Sequence, residues 1–169
     1  MAKRVRIIND LPDLVPLLQI FTSTKHKQVF DLLSSKWCTE EELKAKLKSE
    51  EIGESLDVLR ESGLLESKWR IPEAGATPEV EYATSYSRVR LNFQCEMEEL
   101  GDIISISFID EEAFGSIEDN IISCINSGKD SISNISISED VPPILLKAIV
   151  KRSKKLLLKG QRIEIISGG

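Results

Sequence analysis

At 169 residues, 41% of them apolar, the chain can build one ordinary domain or two small ones, each with its own core. A formal net charge of −6 argues against a simple nucleic-acid coat. No run of about eighteen apolar residues occurs, and MAKRVRIINDLPDL lacks the long apolar centre of a signal peptide, so a cytoplasmic chain without a membrane span is expected.

Asp10 and Pro12 open a short helix over LVPLLQIF. Thr24 is the expected cap of a second over TKHKQVFDLLSSKW, with Val29, Phe30, Leu32 and Leu33 at helical spacing. Thr39 followed by TEEELKAKL has the capping-box pattern, a third helix. In EIGESLDVLRES, Ile52, Leu56 and Leu59 share one side, and Gly63 supplies a left-handed stop. LLESKWRI alternates as a strand, PEAGATPE is a turn-forming tip, and VEYATSY returns as the second strand. This order is that of a winged helix-turn-helix.

SRVRLNFQ and CEMEELGDIISISF are ambiguous, because Met97, Leu100, Ile104 and Phe108 fit a helix while Ile104, Ile106 and Phe108 also alternate. A helix is expected over the first half of the latter, with the rest open. Asp110 caps a helix whose stripe is Phe114, Ile117, Ile121 and Ile125, ending at Gly128. SISNISISEDV is a poor intrinsic helix, although a brief helix under tertiary control stays open. Pro142 and Pro143 start another helix, read over 144–155, and LLLKGQRIEII reads as a hairpin around Lys159 and Gly160. The expected fold is therefore mainly α with small β-hairpin wings, two winged helices in tandem. Residues 1–93 form the first, 94–109 an acidic connection, and 110–169 a degenerate second.

Charge separates the helices expected just before the two hairpins. Winding residues 52–62 at about 100° per residue gathers Glu54, Asp57 and Glu61 on the outer face, which would repel a phosphate backbone. Winding 144–155 gathers Lys147, Lys151, Lys154 and Lys155, with Arg152 at the flank as the side chain expected to reach a base edge or backbone. Lys159 and Arg162 in the hairpin extend the same patch. The alternative is a solvated lysine face that merely complements the helix dipole. Near the first wing, Lys68 and Arg70, with Arg88 and Arg90 beyond, either grip a backbone or pair with Glu73, Glu79 or Glu81.

VFDLLSSKWCTEEELKAKL followed by LDVLRESGLLESKWRIPEAGATPEVEYATSYS resembles the winged helix-turn-helix of ArsR-type transcriptional regulators, and RVRLNFQCEMEELGDII is similar to an archaeal group of them. The resemblance covers about residues 20–108. It implies a dimeric repressor or activator on double-stranded DNA, with the helix at 52–62 in the major groove and Ser49, Glu50, Glu54 and Ser55 as readers. The two glutamates stand where the family usually has Ser, Gln, Thr or His. Metal-sensing members carry a cysteine motif in the preceding helix, and TEEELKAKL has none.

Other chemistry is sparse. Cys38, Cys95 and Cys124 form no C-x-x-C pair, and His26 is the only histidine, so neither a disulfide framework nor a metal site is expected. No phosphate-binding or hydrolase motif occurs, and paired carboxylates such as Glu98 and Glu99 sit on solvated helix faces, so neither catalysis nor a cofactor is expected. Trp37 and Trp69 are expected in core or hinge packing. The rival to a DNA-binding regulator is an interaction scaffold, whose acidic helix and acidic belt from Glu96 to Asp119 would meet a basic protein.

Overall fold

Local signals place most helix ends. In the computed structural model, which describes residues 4–168, Thr39 accepts a hydrogen bond from the Glu42 N–H at 3.2 Å while Glu42 accepts from the Thr39 N–H at 3.0 Å. This reciprocal cap starts α3, Glu40–Leu47, and satisfies two N–H groups that a helix end otherwise leaves open. Before it come β1 (Val5–Ile8), α1 (Leu14–Gln19), α2 (Thr24–Ser35) and β2 (Cys38–Thr39). After it come α4 (Gly53–Glu61), β3 (Leu65–Arg70), β4 (Glu79–Thr84) and β5 (Arg88–Leu91). Gly63, at φ +72°, ends α4 in the left-handed region that L side chains avoid and turns the chain into β3.

The chain divides into two units. The first comprises residues 4–8 and Gln19–Leu91; the second comprises Asn9–Leu18 and residues 92–168. In the first, an antiparallel sheet in the order β2-β4-β3 pairs Lys68 with Glu81 and Arg70 with Glu79. Val29, Leu33, Leu43, Ile52, Leu56, Leu59 and Ala83 form the core beneath it. β1 and β5 form a separate parallel pair, from Val5 opposite Arg88 to Ile8 opposite Leu91. Neither strand is legible beforehand, since a parallel partner far along the chain leaves no hairpin turn to signal it.

The second unit holds α5 (Met97–Phe108), α6 (Glu111–Asn126), α7 (Ile132–Glu139), α8 (Pro143–Arg152), β6 (Leu156–Lys159) and β7 (Arg162–Ile165). Asp110 caps α6 by accepting the Ala113 N–H at 2.7 Å. α5 is helical over the expected first half and over the part left open, with Ile103 and Ile106 buried on one side while Ile104 and Phe108 face out. The serine-rich α7 forms despite poor propensity. Burial of Ile132 and Ile135 and a cap from Ser131 to the Asn134 N–H override it.

One correction bears on the basic patch: α8 stops at Arg152, three residues short of the expected end. Ser153 turns extended, and its hydroxyl accepts the N–H groups of Lys155 and Leu156 at 3.0 and 3.1 Å, steering the chain into β6. Lys154 and Lys155 therefore lie beyond the helix and do not continue its face.

The units share one joint. Lys48 after α3 and Asp140 after α7 are the two non-glycine residues with positive φ among those described, at +50° and +53°. Each returns its N–H to the carbonyl four residues back, at Lys44 and Ser136. The following N–H, of Ser49 and Val141, bonds to the same carbonyl.

Candidate nucleic-acid interface

In the first unit the nominated cations are tied to acids. Arg70 donates from Nε to Glu81 at 2.8 Å and from its two terminal nitrogens to Glu42 at 2.8 and 3.0 Å. Lys68 lies 3.3 Å from Glu81 and 4.2 Å from the centre of the Trp37 ring. These contacts set the acidity of the pair. The Arg70 hydrogen bonds, aided by the Thr39 N–H, hold the Glu42 carboxyl down at about 2, and Arg70 also lowers Glu81. Both cations thus clamp β3 to β4, and Arg70 also ties it to the start of α3.

The reading helix implied by the resemblance, α4, presents Glu54, Asp57 and Glu61 to solvent, as its winding predicts. Asp57 pairs within the helix with Arg60 at 2.5 Å. Ser55 is corrected as a base reader: it is fully buried, and its hydroxyl lies 2.8 Å from Nδ1 of His26 on α2. Burial holds the His26 pKa below its ordinary value, against the pull of Glu54. Ser49 is half-buried, its hydroxyl accepting the Glu51 N–H at 3.3 Å, and Glu50 is exposed beside it.

In the second unit the structure gives Arg152 a role opposite to the expected one. Its side chain is only 5% exposed. It donates to the carbonyls of Ile106 and Ile109 at 2.8 and 2.9 Å, to Glu111 at 3.0 Å, and lies 4.3 Å from the centre of the Phe114 ring. A guanidinium fork satisfies carbonyls that the end of α5 leaves open and fastens them to α8. It cannot reach DNA from there.

The other cations keep outward positions. Lys151 pairs with Asp13 at 3.0 Å, and Lys155 lies 3.7 Å from the buried Glu118, which also bonds the Ser153 hydroxyl. Lys147 is half-buried without an ion pair among the described residues, and Lys154 is exposed. Lys159 and Arg162 stand directly opposite on the hairpin, 73% and 69% exposed, with Glu164 and Asp130 at 3.8 and 3.6 Å.

Two features escaped the sequence reading. Trp69 is 70% exposed rather than packed in a core, and Ile71 beyond it is 92% exposed. The alternation of β3 carries that signal, because Ser67 and Trp69 share the outer face. Arg88 and Arg90, left open in the sequence, are exposed on β5. Among the described residues no group of three or more His, Cys, Asp or Glu could hold a metal ion, and no helix is long and apolar enough to cross a membrane.

Each unit places a helix immediately before an antiparallel hairpin, α4 before β3–β4 and α8 before β6–β7. The chain belongs to the ArsR transcriptional regulator family, whose sequence profile matches residues 8–167. It is thus, in general terms, a DNA-binding transcriptional regulator, and the match reaches well past the residues 20–108 that carried the resemblance. No curated protein matches the chain.

Proposed function

We propose that this regulator is built of two winged helices, residues 1–93 and 110–169, joined by the acidic segment 94–109, and that it grips duplex DNA as a cytoplasmic homodimer. The repetition of α2–α4 with the β3–β4 hairpin in α6–α8 with the β6–β7 hairpin, with the same left-handed joint before α4 and before α8, supports the tandem reading. DNA affinity comes largely from neutralised phosphates. The acidic outer face of α4 lacks that term, and the first wing's cations are spent on Glu42 and Glu81.

The observation that carries the assignment is the opposed pair Lys159 and Arg162, exposed across the second hairpin. Their acid contacts are long and solvent-screened, the kind worth little and readily exchanged for phosphate. Lys147 extends the patch, and Lys151, Lys154 and Lys155 join it when their present contacts are exchanged for phosphate. Replacing Lys147, Lys154, Lys159 and Arg162 by alanine should weaken binding to all duplex sequences and flatten its salt dependence. Binding by that variant with an unaltered salt slope would sink the assignment.

A second reading has its own observation: the exposed Trp69 and Ile71, beside Glu73 and Glu79, offer an apolar and acidic patch to a basic protein partner. On this reading the protein is a scaffold. A stoichiometric complex lost on Trp69→Ala and Ile71→Ser, with DNA binding absent throughout, would favour it.

A further inference from the structure

Four cations lie along the chain in and after the first wing, and the structure divides them. Lys68 and Arg70 are held by Glu81 and Glu42. Arg88 and Arg90 are two residues apart on β5, so both side chains leave the same face of the strand. The parallel register puts Val5 and Ile7 on that face too, at 39% and 50% exposure. Both arginines are exposed, and neither makes an ion pair among the described residues. The strands VRII and RVRL contain no acid at all. Arg6, on the opposite face, lies 5.6 Å from the centre of the Tyr86 ring, and Arg4 just before the strand pairs with Glu66 at 2.6 Å.

We propose that Arg88 and Arg90 form a phosphodiester site on the first unit that grips successive phosphates of one strand of duplex DNA. Two residues along a β-strand span about 7 Å, comparable to the separation of neighbouring phosphates on a nucleic-acid strand. Each guanidinium offers a planar fork that suits a phosphate. In a chain of net charge −6, two strands with arginines and no carboxylate make a local positive field that attracts a polyanion. Val5 and Ile7 supply apolar surface for the sugars between the phosphates. The site reads no bases and serves to position the duplex. It rests on the reading of the chain as a duplex-DNA binder, but places a contact outside α4 and outside both hairpins.

The test uses the intact protein and a short fluorescent duplex of random sequence, titrated across a salt series. Arg88→Gln with Arg90→Gln should weaken binding roughly tenfold near 0.1 M salt and reduce the slope of log affinity against log salt by about 2, for two phosphates released. Arg88→Lys with Arg90→Lys keeps the charge and should keep most of the slope. An unchanged slope in the glutamine pair, beside a reduced slope for Lys159→Ala with Arg162→Ala, overturns this site and leaves the second hairpin's assignment standing. If the wild type shows no salt-dependent binding, both fail. A glutamine pair whose sedimentation mass halves at constant slope also overturns it, and gives the strand pair to a second copy of the chain.

Discussion

The two hairpins are built alike and charged in opposite ways. In the β3–β4 hairpin, Lys68 and Arg70 lie on the face that carries Glu81 and turn back onto acids, while Glu73 and Glu79 remain at the exposed tip. In the β6–β7 hairpin, Lys159 and Arg162 are paired with each other across the turn, and their acids are no closer than 3.8 and 3.6 Å. The difference shows that strand register, rather than the number of cations, decides whether a hairpin cation lies opposite an acid or opposite another cation. Lys68 and Arg70 reach acids at 3.3 and 2.8 Å, whereas Lys159 and Arg162 lie 3.8 and 3.6 Å from theirs.

The harshest way to break the comparison is to unmoor the second hairpin. Arg152→Ala removes the donors that hold the end of α5 to α8 immediately before β6, and should cost on the order of 3 kcal/mol. Chemical denaturation with circular dichroism reads it, and a loss below about 1 kcal/mol would refute the mooring role. A sharper test exchanges the charges of the tips. Lys159→Glu with Arg162→Glu should lower affinity for duplex DNA at low salt roughly a hundredfold, whereas Glu73→Lys with Glu79→Lys should raise it several-fold. Equal responses to the two exchanges in filter binding would mean that neither hairpin approaches the backbone.

The smallest expected effect concerns the first hairpin's clamp. The Glu42 carboxyl, held near 2 by Arg70, stabilises the folded state above its ordinary value of 4.5, and that contribution is lost as pH falls from there through 2. The side chain is 43% exposed, so solvent screening limits the contribution to less than about 1 kcal/mol. Glu42→Gln should therefore flatten the melting temperature between pH 5 and pH 3. An undiminished acid decline in this variant would place the titration elsewhere.

Much of this was legible because short signals were unambiguous. The capping box at Thr39, the stop at Gly63, the cap at Asp110 and the paired prolines at the start of α8 each specify a helix end through a local hydrogen bond or backbone limit. The outward acids of α4 followed from its winding. What periodicity could not supply was whatever depends on distant partners. Arg152 looks like any other basic residue until the carbonyls of Ile106 and Ile109 arrive beside it. Ser55 looks like a reader until His26 packs against it, and the β1–β5 pair joins segments some eighty residues apart. Lys154 and Lys155 left the expected helix because one serine hydroxyl captured two backbone N–H groups.

The joint before α4 and before α8 has a further meaning. At Lys48 and Asp140 the backbone bends through a conformation that costs a side-chain-bearing residue about 1 kcal/mol, and neither position uses the amino acid that would occupy it freely. Each unit therefore carries a small tension at the hinge that orients α4 or α8. Glycine at either joint would relax that tension but loosen the angle at which the following helix is presented. The two units are spring-loaded at the same point, so that a more stable protein made in this way should also be one that aims its helices less sharply.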